Sequence, residues 1–204
     1  MFYYVVKAIC WLILKIFWRM EIIGIENLPQ SGGLIIASNH VSYLDPAVLT
    51  ASFNRKIYFL TKKEVFKNNF ISFLLKNMNA LPIDRGKVDM LAFKKAINIL
   101  REEKVLGIFP EGTRSSNGEL QKLKLGTIKI AMKTGVPILP AGIIGTHKIY
   151  PRGIKFPILF KHKIIVKYGA PQYLDKLKSR DKVYQMEELG LLSKKIKELS
   201  TTNT

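Results

Sequence analysis

Leu34-Ile35-Ile36-Ala37-Ser38-Asn39-His40-Val41-Ser42-Tyr43-Leu44-Asp45-Pro46 runs from an apolar stretch into a polar loop and then to a proline-led segment. The apolar run predicts a strand over Leu34 to Ser38, and Asp45 with Pro46 suits the first turn of a helix. Between them the strand delivers His40 into a loop, five residues from Asp45. An imidazole that hydrogen-bonds a carboxylate is held in one tautomer and made more basic, as a group that deprotonates a hydroxyl must be. Taken alone, the pair reads more readily as a helix start beside a stray histidine.

The same alternation continues outward. Strands are predicted at Lys56 to Leu60, Val105 to Phe109, Val136 to Ile143 and Lys163 to Tyr168, with a shorter one at Leu81 to Ile83. Helices are predicted at Pro46 to Ser52, Asn69 to Asn77, Val88 to Glu103, Thr127 to Lys133 and about Asp181 to Leu199. In the third of these Val88, Leu91, Ala92, Ala96 and Ile99 share a face. Strands alternating with helices predict an α/β fold: a mostly parallel sheet flanked by helices, with reactive groups in the loops that follow strands. No repeat or linker divides residues 21–204, which read as a single domain.

Residues 1–20 read separately, as an amphipathic helix. Lys7, Lys15 and Arg19 interrupt the apolar run, so it falls short of the roughly 20 residues that span a bilayer. Without a basic start or a small-residue cleavage site it is not expected to be a signal peptide. On a helical wheel the cations and Trp11 cover about a third of the circumference, with Phe2, Val6, Ile9, Ile13 and Phe17 opposite or flanking. That layout suits a membrane-interfacial helix, its cations among headgroups, although packing on the protein's own core is the competing reading.

The 204 residues carry a net charge of +18, which favours anionic partners: nucleic acid, a membrane surface or phosphorylated substrates. Between Glu119 and Asp175 no acid offsets Lys122, Lys124, Lys129, Lys133, Lys148, Arg152, Lys155, Lys161, Lys163 and Lys167. A single cysteine, Cys10, precludes an internal disulfide, and the scattered His40, His147 and His162 have no zinc-ligand spacing, so no metal is expected.

Two further strand ends carry polar loops. Val105 to Phe109 opens into Pro110-Glu111-Gly112-Thr113-Arg114-Ser115, where hydroxyls, backbone amides and a guanidinium can receive a phosphate. Leu81-Pro82-Ile83-Asp84-Arg85-Gly86 repeats the form. Either could equally be a surface turn with an exposed arginine. No GxxxxGK[ST] loop, no GxGxxG after a strand and no GxSxG elbow is present.

These residues resemble the glycerophospholipid acyltransferases, of the bacterial 1-acylglycerol-3-phosphate acyltransferase type. Asn39-His40 through Asp45-Pro46 is similar to the HxxxxD block, and Ile83-Asp84-Arg85 to the second block. Phe109 to Ser115 resembles the third and Val136-Pro137-Ile138-Leu139-Pro140 the fourth, in the family's order. Leu125 stands where many members carry a second lysine. The resemblance implies transfer of an acyl group from acyl-CoA or an acyl carrier protein to the sn-2 hydroxyl of lysophosphatidate, giving phosphatidate, with no other cofactor. It implies His40 as general base and Asp45 as its support, with Ser42 a lesser alternative as nucleophile. It also implies that Arg85, Glu111, Gly112, Thr113, Arg114, Ser115 and Lys124 bind substrate. The expected location is the cytoplasmic face of the cell membrane, peripheral or monotopic, where the loop His147 to Lys163 touches the anionic surface beside the amino-terminal helix. Other acceptors stay open: glycerol 3-phosphate, another lysophospholipid or a lyso-aminolipid. A basic binding module without chemistry is the reading from another class; nucleic acid is not the expected partner.

Overall fold

The computed structural model describes residues 2–67, 69–83, 88–151, 153–154 and 156–201. The elements are α1 (Phe2–Trp18), β1 (Glu21–Ile23), β2 (Leu34–Ser38), α2 (Asp45–Ser52), β3 (Ile57–Lys62), α3 (Asn69–Asn77), β4 (Ala80–Ile83) and α4 (Val88–Arg101). Then follow β5 (Val105–Ile108), α5 (Gly126–Thr134), β6 (Ile138–Ile144), α6 (Thr146–Ile149), β7 (Ile165–Tyr168) and α7 (Lys182–Leu199). One sheet takes the order β1-β7-β6-β2-β5-β3-β4. β6, β2, β5, β3 and β4 run parallel; β7 is antiparallel to β6 and parallel to β1.

All five residues of β2 are buried, because helices cover both faces of the sheet. Leu34 and Ile36 point into a layer with Leu14 and Trp18 of α1 and Val48 and Leu49 of α2. Ile35 and Ala37 point into the opposite layer with Ile128 and Ala131 of α5 and Leu192 and Ile196 of α7. The expected α/β architecture and mostly parallel sheet are therefore present.

Three local departures have physical reasons. β1 and α6 are too short to carry a periodic signal, and β1 forms by pairing Glu21 to Ile23 with Ile165 to Lys167. The buried side of α4 is Ala96, Ile97, Ile99 and Leu100, while Leu91 is exposed, because cover reaches only the second half of that helix. α1 is apolar on two sides. Its inward stripe is Tyr3, Leu14 and Trp18, and Lys7 turns inward with them to donate to the Phe53 carbonyl at the end of α2. Burial pulls the Lys7 amine below the usual lysine range. Lys15 likewise donates to the Met20 carbonyl at 3.2 Å, so two of the three cations expected among headgroups are tied to the protein's own backbone.

Gly107 of β5 shows how tightly the sheet and site are joined. A Cβ there would lie 2.3 Å from Cε1 of Phe59, whose ring stacks on Phe109 at 6.2 Å. Gly107→Ala is expected to lower stability by about 1 to 3 kcal/mol through overpacking, read as a lower urea midpoint at unchanged slope.

Candidate active site at the carboxyl edge of the sheet

β6, β2 and β5 are parallel neighbours, so their carboxyl ends emerge side by side and three loops meet there. Asn39, the first residue past β2, extends the pairing with its side chain. Its Nδ2 donates to the Ile143 carbonyl at 2.9 Å and its Oδ1 accepts from the Ile143 amide at 2.8 Å. The exit of β2 is thereby fixed on β6 before the chain reaches His40.

Asp45 opens α2 and is fully buried. Instead of capping its own helix, it turns its carboxylate back on the loop. Oδ2 accepts from the Val41 amide at 2.7 Å, the Ser42 amide at 2.7 Å and His40 Nδ1 at 2.9 Å. Oδ1 accepts from the Thr146 hydroxyl at 2.7 Å. A carboxylate only accepts, so the His40 nitrogen facing it carries the proton and Nε2 presents a lone pair. The His40 ring lies flat on Phe109, 4.0 Å between centroids and 16° between planes, and the side chain keeps 17% of its surface exposed. The result is an imidazole whose tautomer and ring plane are both fixed. The Ser42 hydroxyl is buried and engaged: it donates to the Tyr150 carbonyl at 2.8 Å and accepts from the Leu44 amide at 3.2 Å.

The loop after β5 grips His40 from behind. Glu111, 3% exposed, accepts the His40 amide on Oε1 at 2.7 Å and the Gln121 amide on Oε2 at 2.8 Å. Ser115 returns its amide to the His40 carbonyl at 2.8 Å. Burial pushes the Glu111 carboxyl up from its ordinary 4.5, while the Gln121 and His40 amides pull it back down.

The remaining expected site residues take distinct positions. Gly112 adopts a left-handed φ of +73°, and a Cβ there would lie 2.8 Å from Lys124 Nζ, so this ammonium sits directly over the turn. Thr113 and Lys124 are exposed. Ser115 is buried, and its hydroxyl donates within the loop to Asn117 Oδ1 at 2.8 Å. Arg114 lies over the ring of Tyr43. Arg85 falls outside the described residues, but β4, the strand before it, ends at the same edge as the His40 loop. Leu125 is half-buried against the layer under α5, a packing place rather than a second cation. Among the described residues no three His, Cys, Asp or Glu side chains are grouped as metal ligands.

Thr146, Phe109 and Tyr43 are the site residues that sequence reasoning left without a role. Gly145-Thr146 follows the third central strand, and the rule that predicted loops after β2 and β5 applies equally to it.

An acyltransferase family model matches residues 19–144. The chain is 33% identical over 140 residues to a 1-acyl-sn-glycerol-3-phosphate acyltransferase of Borreliella burgdorferi, a match covering 68% of this chain and 56% of that protein. A chloroplastic 1-acyl-sn-glycerol-3-phosphate acyltransferase of Brassica napus is 37% identical over 142 residues, and the match spans 67% of this chain and 40% of that one. The chain thus spans about half the length of these two relatives. A Bacillus subtilis protein of the same description is 32% identical over 194 residues, with 92% of this chain and 91% of that one covered. The crystal structure of a 1-acyl-sn-glycerophosphate acyltransferase from Thermotoga maritima shares the fold, with a TM-score of 0.78 at 24% identity over 99% of this chain and 81% of that one.

The raised Glu111 carboxyl gives a pH test. The folded state holds this proton more tightly than the unfolded chain does, so its contribution to stability is present below 4.5 and is lost as pH rises through the folded value. Glu111→Gln removes that dependence. The stability of the wild type relative to Glu111→Gln, from urea unfolding between pH 4 and pH 8, is expected to fall with rising pH just above 4.5 and then level off.

Proposed function

Because the chain belongs to the acyltransferase family whose model it matches, we propose that it acylates the sn-2 hydroxyl of 1-acylglycerol 3-phosphate, giving phosphatidate. The observation that carries this reading is the buried Asp45 carboxylate fixing His40 as an Nδ1–H tautomer at the meeting point of three strand ends. In the proposed reaction Nε2 takes the hydroxyl proton as the acceptor oxygen attacks the thioester carbonyl carbon. The tetrahedral intermediate then expels the thiolate, which recovers the proton from the imidazolium. No covalent enzyme intermediate is needed, and the engaged hydroxyl of Ser42 accords with that. The thioester of acyl-CoA or of an acyl carrier protein meets the same chemical requirement.

A positioned base supplies about 100- to 10,000-fold, so orienting the acceptor matters as much. Arg114 and Lys124 on the loop behind His40, together with Arg85 beyond β4, are the cations for the acceptor phosphate; Gly112 and Thr113 shape the turn between them. Glu111 and Ser115 serve by holding the loop. With purified protein in detergent, 1-acylglycerol 3-phosphate and either donor, phosphatidate is the expected product, and His40→Ala is expected to lose about 100-fold or more. Absence of product with both donors, or equal rates for wild type and His40→Ala, would sink the reading. Product from glycerol 3-phosphate or another lysolipid instead would move the assignment to that acceptor.

The lipid acceptor is met at a membrane surface. No described helix is long and apolar enough to cross a bilayer. The outward stripe of α1 exposes Val5, Ile9, Leu12 and Ile16, and the segment after α6 exposes Phe156 and Phe160 at 78% and 64%. The second segment adjoins the end of α1: the Phe160 amide donates to the Phe17 carbonyl at 3.1 Å, their rings stand 4.9 Å apart, and Trp18 Nε1 donates to the Ile158 carbonyl at 2.7 Å. Apolar surface exposed in this way suits a membrane interface, and in the proposed reaction a cytosolic thioester donor would reach it from the cytoplasmic side. Leu12→Asp and Phe160→Ser are expected to reduce sedimentation with anionic lipid vesicles while leaving the circular dichroism spectrum unchanged. Undiminished vesicle binding by both would refute the membrane face.

A further inference from the structure

Tyr43 lies inside the loop between His40 and Asp45, and 59% of it is exposed. A ring so exposed contributes little to folding. Yet the Arg114 guanidinium carbon lies 3.3 Å from its centroid, a separation at which the planar group has to lie flat on the ring. All the N–H donors of a guanidinium lie in its own plane. Tyr43 therefore sets the plane in which Arg114 can donate, and that plane runs beside the loop carrying the base.

Two more observations bear on this contact. Arg114 Nη1 is buried without a hydrogen-bond partner among the described residues, an arrangement that an oxyanion would relieve. Tyr43 itself leans on the Tyr150 ring, 5.8 Å away at 45°, and the Tyr150 carbonyl holds the Ser42 hydroxyl. The shelf under Arg114 is thus tied to the backbone that carries Asp45's donors.

We propose that Tyr43 is a positioning residue: its ring holds the Arg114 guanidinium at the angle at which its in-plane N–H donors meet the phosphate of the acceptor. The proposal rests on the acceptor assignment above. Its signature is a rise in acceptor KM with kcat nearly kept, because the ring packs on Arg114 and Tyr150 rather than on the His40 imidazole.

Steady-state kinetics with 1-acylglycerol 3-phosphate and acyl-CoA or acyl carrier protein, whichever is turned over, test it. Tyr43→Leu is expected to raise the acceptor KM about tenfold with the donor KM unchanged, while Tyr43→Phe, which keeps the ring, holds it within about twofold. In an Arg114→Gln background Tyr43→Leu is expected to add almost nothing. A parallel calorimetric titration with glycerol 3-phosphate reads the same pair without turnover, and Tyr43→Leu is expected to weaken that binding. Turnover by the wild type with an unchanged KM in Tyr43→Leu, or an undiminished effect after Arg114→Gln, overturns the positioning role and leaves the acceptor assignment standing. No turnover by the wild type, with glycerol 3-phosphate binding still weakened by Tyr43→Leu, overturns the acceptor assignment and leaves the role. Binding that Tyr43→Leu does not weaken in that case overturns both.

Discussion

One buried carboxylate organises this end of the molecule. Asp45 takes four hydrogen bonds, two from amides of its own loop, one from His40 and one from Thr146 after β6. Burying a charge is tolerable only when every lone-pair direction finds a donor, so the loop conformation, the histidine tautomer and the approach of β6 are set together. Glu111 repeats the device one layer back, with amides from His40 and Gln121. Two acids that could have been solvated surface charges are instead the fasteners of three loops.

The sheet makes that arrangement possible without taking part in it. Parallel neighbours release their chains at one edge, and β2 in the middle is buried on both faces, so the point where its loop begins cannot drift. Asn39 sharpens this by imitating one more rung of the β2–β6 pairing with a side chain. From Phe59 through Phe109 to the His40 ring, stacked aromatics carry the order of the core out to the imidazole.

The succession of strand, loop and helix was legible because runs such as Leu34 to Ala37 and Val105 to Ile108 end abruptly in polar residues. The pairing of His40 with Asp45 was legible for the same reason, as spacing within one loop. What spacing does not reveal is contact between loops. The roles of Thr146 toward Asp45 and of Tyr43 toward Arg114 span separations of 101 and 71 residues, and each depends on the topology that brings β6 and β5 to either side of β2. The helical wheel of α1 misled for a related reason. A lysine on a wheel counts as polar, but Lys7 found a backbone carbonyl at the end of α2 and went inward. Charge alone did not say which side of the helix would face out.

That contact has a geometric consequence. Lys7 holds the carbonyl just past one end of α2, and Asp45 is the residue at the other end. Eight helical residues amount to about 12 Å, and nothing in an α-helix stretches. α2 is therefore a gauge: its fixed length sets how far the imidazole held by Asp45 stands from α1.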